Sequence, residues 1–149
     1  MNPQLQISRE NLARDLTELL KGKLEQDKLD AAVASLSTAA TAFPATGSIA
    51  SLVFYLKFQV QVTSTPRPDV FNGRGFGASS PGAGFLVGHI YTDNLARLVE
   101  QTDAFTFLGT PVYLTMFFFN GQGALLGHGQ FGAVSTVLGS GGGSGSWNG

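Results

Sequence analysis

Two periods divide the pattern of apolar and polar positions along the chain. Up to about residue 40 the apolar residues recur at helical spacing: Leu12, Leu16, Leu19 and Leu20 share one face, and Leu29, Val33 and Leu36 form a second face about half a turn away. Ser8 suits an N-cap with Glu10 in the first turn, and Gly22 interrupts the run. The spacing predicts a helix to about Lys21–Lys28 and a weaker one to about Ala40, an amphipathic arm over residues 1–45. From Phe43-Pro44-Ala45-Thr46-Gly47 onward the period becomes two. Leu52, Phe54, Leu56, Phe58, Val60 and Val62 alternate with mostly polar residues, which reads as a strand with one face on a core.

Two prolines in Thr65-Pro66-Arg67-Pro68-Asp69 must end that strand. Further strands are expected around Arg74–Ala78 and Phe85–Tyr91. A short helix, Leu95–Gln101, follows, capped by Asp93 or Asn94. Four more strands are expected, at about Ala104–Leu108, Val112–Asn120, Ala124–Phe131 and Ala133–Leu138, with turns at Gly109-Thr110-Pro111, Asn120-Gly121-Gln122-Gly123 and Gly129–Gly132. Val112–Phe119 is apolar on both faces, so it should lie centrally and be covered on each side. Gly139–Gly145 reads either as a flexible linker or as a curved tail strand anchored by Trp147. Strands at this spacing argue for an antiparallel sandwich or barrel, and a small closed barrel over residues 46–149 is the favoured fold. The 12 phenylalanines would fill its interior.

Composition narrows function chiefly by exclusion. No cysteine is present, so disulfides and thiolate metal sites are excluded. A net charge of −1 argues against a nucleic-acid partner. No apolar run is long enough for a transmembrane helix, and the first residues lack the pattern of a signal peptide. From Ala104 to Gly149 there is no Asp, Glu, Lys or Arg at all.

Little is left that could do chemistry. His89 and His128 are the only candidate bases at neutral pH, and the acids Asp93, Glu100 and Asp103 flank the short helix, where capping and solvation explain them. His89 could reach Asp93, but no triad or metal-ligand spacing emerges. Arg67 and Arg74 flank a glycine-rich loop that lacks phosphate-loop spacing. No catalytic residue, cofactor or metal site is assigned, and the chain is expected not to be an enzyme. With so few titratable groups, the strand domain should stay folded to about pH 4–5. The candidate membrane or partner face is the leucine stripe Leu12, Leu16, Leu19 and Leu20. The alternative is a barrel binding module for a peptide, glycan or small ligand, marked by an exposed aromatic cluster of Tyr55, Tyr113 and Trp147.

The segment from about Ala50 to Trp147 resembles the virulence-associated protein (Vap) family of rhodococcal pathogens. The likeness is carried by Leu56-Lys57-Phe58, Ser80-Pro81-Gly82-Ala83, Tyr91-Thr92-Asp93 and Leu126-Gly127-His128. It continues through Gly132-Ala133-Val134-Ser135-Thr136-Val137, Gly141–Gly143 and Ser146-Trp147. The resemblance implies an all-β core, a compact eight-stranded antiparallel Greek-key barrel without an open ligand cavity. It further implies a secreted, non-enzymatic effector that works in the host phagosome or endolysosome, with a lipid membrane surface or a host protein as partner and disturbed acidification as outcome. The chain is expected to act as a monomer.

Overall fold

A computed structural model describes residues 14, 16–18, 26–27, 30–31, 41–63, 69–110, 113–134 and 139–148. Eight strands form the body: β1 (Thr41–Ser51), β2 (Tyr55–Val62), β3 (Asp69–Ser79), β4 (Gly82–Thr92), β5 (Ala104–Gly109), β6 (Leu114–Phe119), β7 (Leu125–Val134) and β8 (Gly139–Trp147). One short helix, α1 (Leu95–Gln101), joins β4 to β5. Every pairing is antiparallel and the ring closes in the order β1-β2-β3-β8-β5-β6-β7-β4. Two Greek keys, β4-β1-β2-β3 and β8-β5-β6-β7, make up that ring, one before α1 and one after it.

Alternation builds the interior. Phe58, Phe71, Phe105, Phe107, Phe118 and Phe131 point inward and are almost fully buried, together with Leu56, Val60, Leu86, Ile90 and Met116. Burial of each such ring contributes roughly 1.5–3 kcal/mol. Phe71 meets Phe105 and Phe118 edge to face, with centroids 5.6 and 5.1 Å apart, an arrangement that aromatic quadrupoles favour. Glycine makes room for these rings: a methyl group on Gly73 would lie 2.6 Å from the Phe71 ring and 2.8 Å from that of Phe105. Trp147 closes the tail inside the same cluster, 5.4 Å from Phe71 and 5.8 Å from Phe118. The glycine-rich tail is therefore a strand, β8, held between β3 and β5.

At α1, Asn94 accepts the Arg97 N–H on its side-chain oxygen at 3.0 Å and supplies the cap. Leu98 plugs the barrel end from this helix.

Three sequence expectations need correcting. The alternating run beginning at Leu52 is not one strand: Leu52, Val53 and Phe54 form the β1–β2 turn, and the strand starts at Tyr55. β1 itself begins at Thr41, where small residues and Pro44 hide the period; the Pro44 carbonyl still accepts the Thr63 N–H at 3.1 Å. Gly129–Gly132 is not a turn, because β7 runs through it. Its glycine at 129 faces inward instead, where a methyl group would lie 2.6 Å from the Phe131 ring. Residues 135–138 lie outside the described part.

Candidate functional site

The β1–β2 hairpin carries an apolar tip into solvent. Leu52 is 76% exposed and Phe54 69%, with Val53 beside them. Phe76, 68% exposed, stands next to the tip on β3, whose Gly77 N–H donates to the Phe54 carbonyl at 3.3 Å. Val53 holds a φ of 80°, a left-handed backbone that a β-branched residue rarely adopts. Its N–H donates to Ser51 Oγ at 3.2 Å, and Leu52 N–H to the Tyr55 carbonyl at 2.8 Å, which locks the turn.

Cross-strand register orders the neighbouring side chains by chemistry. Tyr55 faces Phe76, Lys57 faces Arg74, and Gln59 faces Asn72 on the outward side of β2 and β3. The Tyr55 and Phe76 rings meet edge to face at 5.8 Å. Lys57 and Arg74 are like charges placed directly opposite, which a sheet disfavours. Neither pairs with a carboxylate among the described residues. They rim an open depression of about 470 Å³ whose other walls are Asn72, Gly73, Ser144 and Gly145. Moving away from the tip, the surface passes from aliphatic and aromatic to cationic and then to amide.

A second depression of about 440 Å³ lies over Gly47, between Phe85 and Val87 on one side and Gln59 and Gln61 on the other. Phe85 is 71% exposed and Val87 56%.

The two histidines sit on adjacent strands on either side of Tyr91. His89 meets Tyr91 edge to face at 6.1 Å, and His128 stacks on it at 5.1 Å. Gln130 Nε2 lies 3.4 Å from His128 Nδ1, and because an amide nitrogen can only donate, the imidazole accepts there and is neutral. Burial pushes the His128 pKa down from 6.5 to about 4 and the Tyr91 phenol upward. Asp93 is turned away to Arg97, 3.3 Å distant, in place of the expected contact with His89. Among the described residues no group of three His, Asp or Glu side chains could hold a metal ion.

The expected aromatic cluster of Tyr55, Tyr113 and Trp147 does not form, because Trp147 is buried against Phe71 and Phe118. Tyr55 instead joins Phe76 beside the tip. That tip escaped the sequence reading because its alternation continues that of β2 without a break. Of the leucine stripe, only Leu16 is among the described residues, and it is fully buried; Leu12, Leu19 and Leu20 lie outside them. Arg67 also lies outside. No helix of the described residues is long and apolar enough to cross a membrane.

Comparison with known proteins adds a relationship to this geometry. Residues 2–148 match the family model described as Rhodococcus equi virulence-associated protein. Among solved structures, the virulence-associated protein VapD from the intracellular pathogen Rhodococcus equi is 30% identical with a TM-score of 0.72, covering 74% of this chain and 100% of its own. VapB from the same pathogen is 40% identical with a TM-score of 0.67, covering 73% of this chain and 97% of its own. No curated protein sequence matches significantly.

Proposed function

This chain belongs to the Rhodococcus equi virulence-associated protein family, and from that premise we propose that it is a secreted, non-catalytic effector that associates with membranes of the host phagosome and endolysosome and disturbs their acidification. The observation that carries the reading is the order of side chains along the β1–β2 hairpin and β3. Leu52 and Phe54 lead, Tyr55 and Phe76 follow, then Lys57 and Arg74, then Gln59 and Asn72. A bilayer presents the same order from its acyl edge outward: hydrocarbon, an interfacial zone that favours aromatic rings, and phosphate headgroups. Each cation near an anionic surface is worth about 1 kcal/mol. The apolar tip supplies the remaining attraction by leaving water.

Exposed hydrophobic groups standing together have a cost in solution, and a strained Val53 adds to it. A function at an apolar surface accounts for both. Flotation of the full chain with vesicles, of phosphatidylcholine alone and with an added anionic lipid, at neutral and acidic pH, tests the proposal. Co-flotation with the anionic vesicles is expected; a protein left at the bottom in every condition contradicts it.

A second reading, a binding module for a peptide, glycan or small ligand, is favoured by the depression over Gly47, which sets Phe85 and Val87 against two glutamine amides. Its signature would be ligand capture lost in Phe85→Ala and retained when Leu52 and Phe54 are changed.

A further inference from the structure

The outward face of β6 and β7 is covered although no strand among the described residues lies over it. Leu114, Met116 and Phe118 point into the barrel, so Thr115, Phe117 and Phe119 point out of it, yet these three are 0%, 0% and 5% exposed. On β7, Gly129 and Phe131 face inward while His128 and Gln130 face out, and both of the latter are buried. On the opposite wall the outward residues Lys57, Gln59, Arg74 and Asn72 are open to solvent.

The burial has a shape. Register places Tyr91, His128, Phe117 and Thr106 in one row around the wall, and His89, Gln130, Thr115 and Leu108 in the next. In both rows the two central residues, on β7 and β6, are buried and the two outer ones, on β4 and β5, are half-buried. The fully covered band is thus two strands wide, about 10 Å, which is the diameter of one helix. Along the strand it runs from Thr115 to Phe119, about 13 Å.

Few parts of the chain can supply that cover. Among the described residues outside the barrel wall, α1 plugs the barrel end through Leu98. Leu16, by contrast, is helical, fully buried and outside the barrel's core cluster, while Arg14, Thr17 and Glu18 around it are exposed. Leu16 is the described member of the apolar stripe that the sequence places on one helical face. The path also fits: β1 begins at Thr41 and Ala42, and Ala42 pairs with Tyr91, Tyr91 with His128, and His128 with Phe117. The start of β1 is therefore three strand spacings, about 14 Å, from the centre of the patch.

We propose that the leucine face around Leu16 docks as a helix on the outer wall of β6 and β7, over Thr115, Phe117, His128 and Gln130. The occupant of this surface is the chain's own helical segment around Leu16, whose side chain is fully buried outside the barrel's core cluster.

The absence of cysteine makes a labelling test clean. In the full chain, Thr115→Cys, a nearly isosteric change, should react with a maleimide at least about tenfold more slowly than Phe76→Cys, because it is reached only by local opening. Adding Leu16→Asp should raise the Thr115→Cys rate by about the same factor and leave Phe76→Cys unchanged. Equal rates at the two positions, or no response to Leu16→Asp, would overturn the proposal. In a chain carrying Leu16→Cys and Phe117→Cys, a short bifunctional maleimide should link the two within one molecule. Failure to link them, while a chain carrying Leu16→Cys and Phe76→Cys is linked, would equally overturn it.

Discussion

His128 stacks on Tyr91 with centroids 5.1 Å apart and ring planes 22° from parallel, where the imidazole is buried and the phenol half-buried. The pair explains why one histidine matters in a chain with so few ionisable groups. An imidazole buried there accepts from Gln130 in its neutral form. A charged one would have to give up water and would meet the amide donor with a donor of its own.

His128 adds a specific pH dependence within the range in which the strand domain is expected to stay folded. The unfolded imidazole takes up its proton near pH 6.5 and the folded one only near 4. Between those values the unfolded chain binds more protons, so acid favours unfolding. The contribution of His128 is whole above pH 6.5 and is lost as the pH falls to about 4. It amounts to about 3 kcal/mol at most. Urea unfolding followed across that window should show the midpoint falling, with a clearly flatter profile in His128→Gln. Equal slopes in the two proteins would contradict the assignment.

Val53 offers a test that separates stability from function. Its left-handed backbone costs of order 1–3 kcal/mol, whereas glycine takes that angle freely at an entropic cost of about 0.5–1 kcal/mol. Val53→Gly should therefore raise the unfolding free energy by about 1 kcal/mol while weakening vesicle attachment. A variant that is destabilised would show that the turn is not strained.

Gly73 tests the interior. An added methyl group there meets the Phe71 and Phe105 rings, both of them buried in the core. Gly73→Ala should cost about 1–3 kcal/mol in thermal or chemical unfolding. Gly132, where the nearest atom to an added methyl is the Val87 carbonyl at 3.9 Å, serves as the control that should change little.

Much of the barrel was legible because burial imposes period two. Strand Leu114–Phe119, apolar on both faces, was readable as covered on each side, and all six of its residues are buried. The sequence left the helix cap between Asp93 and Asn94, and the structure gives it to Asn94. What stayed hidden depended on information that local pattern does not hold. Leu52 and Phe54 continue the alternation of β2, so only the positive φ of Val53 marks the turn. Thr41–Ser51 has small residues and Pro44 where a strand signature would stand, and it is a strand because β2 and β4 pair with it on both sides. The glycines of β8 read equally as linker and strand until β3 and β5 supply the partners. The tip beside Phe76 requires β3 to be folded against β2, a relationship between segments 22 positions apart (76 − 54).

Entry of the β1–β2 tip into lipid can be read directly from a fluorophore placed there. Placing the reporter at the tip with Phe54→Trp, and removing the buried one with Trp147→Phe, leaves a single indole at the position in question. On addition of anionic vesicles its emission should shift to the blue and be quenched by lipids brominated along the acyl chains. An emission that stays unshifted and unquenched, in a protein that still co-floats with the vesicles, would contradict the claim.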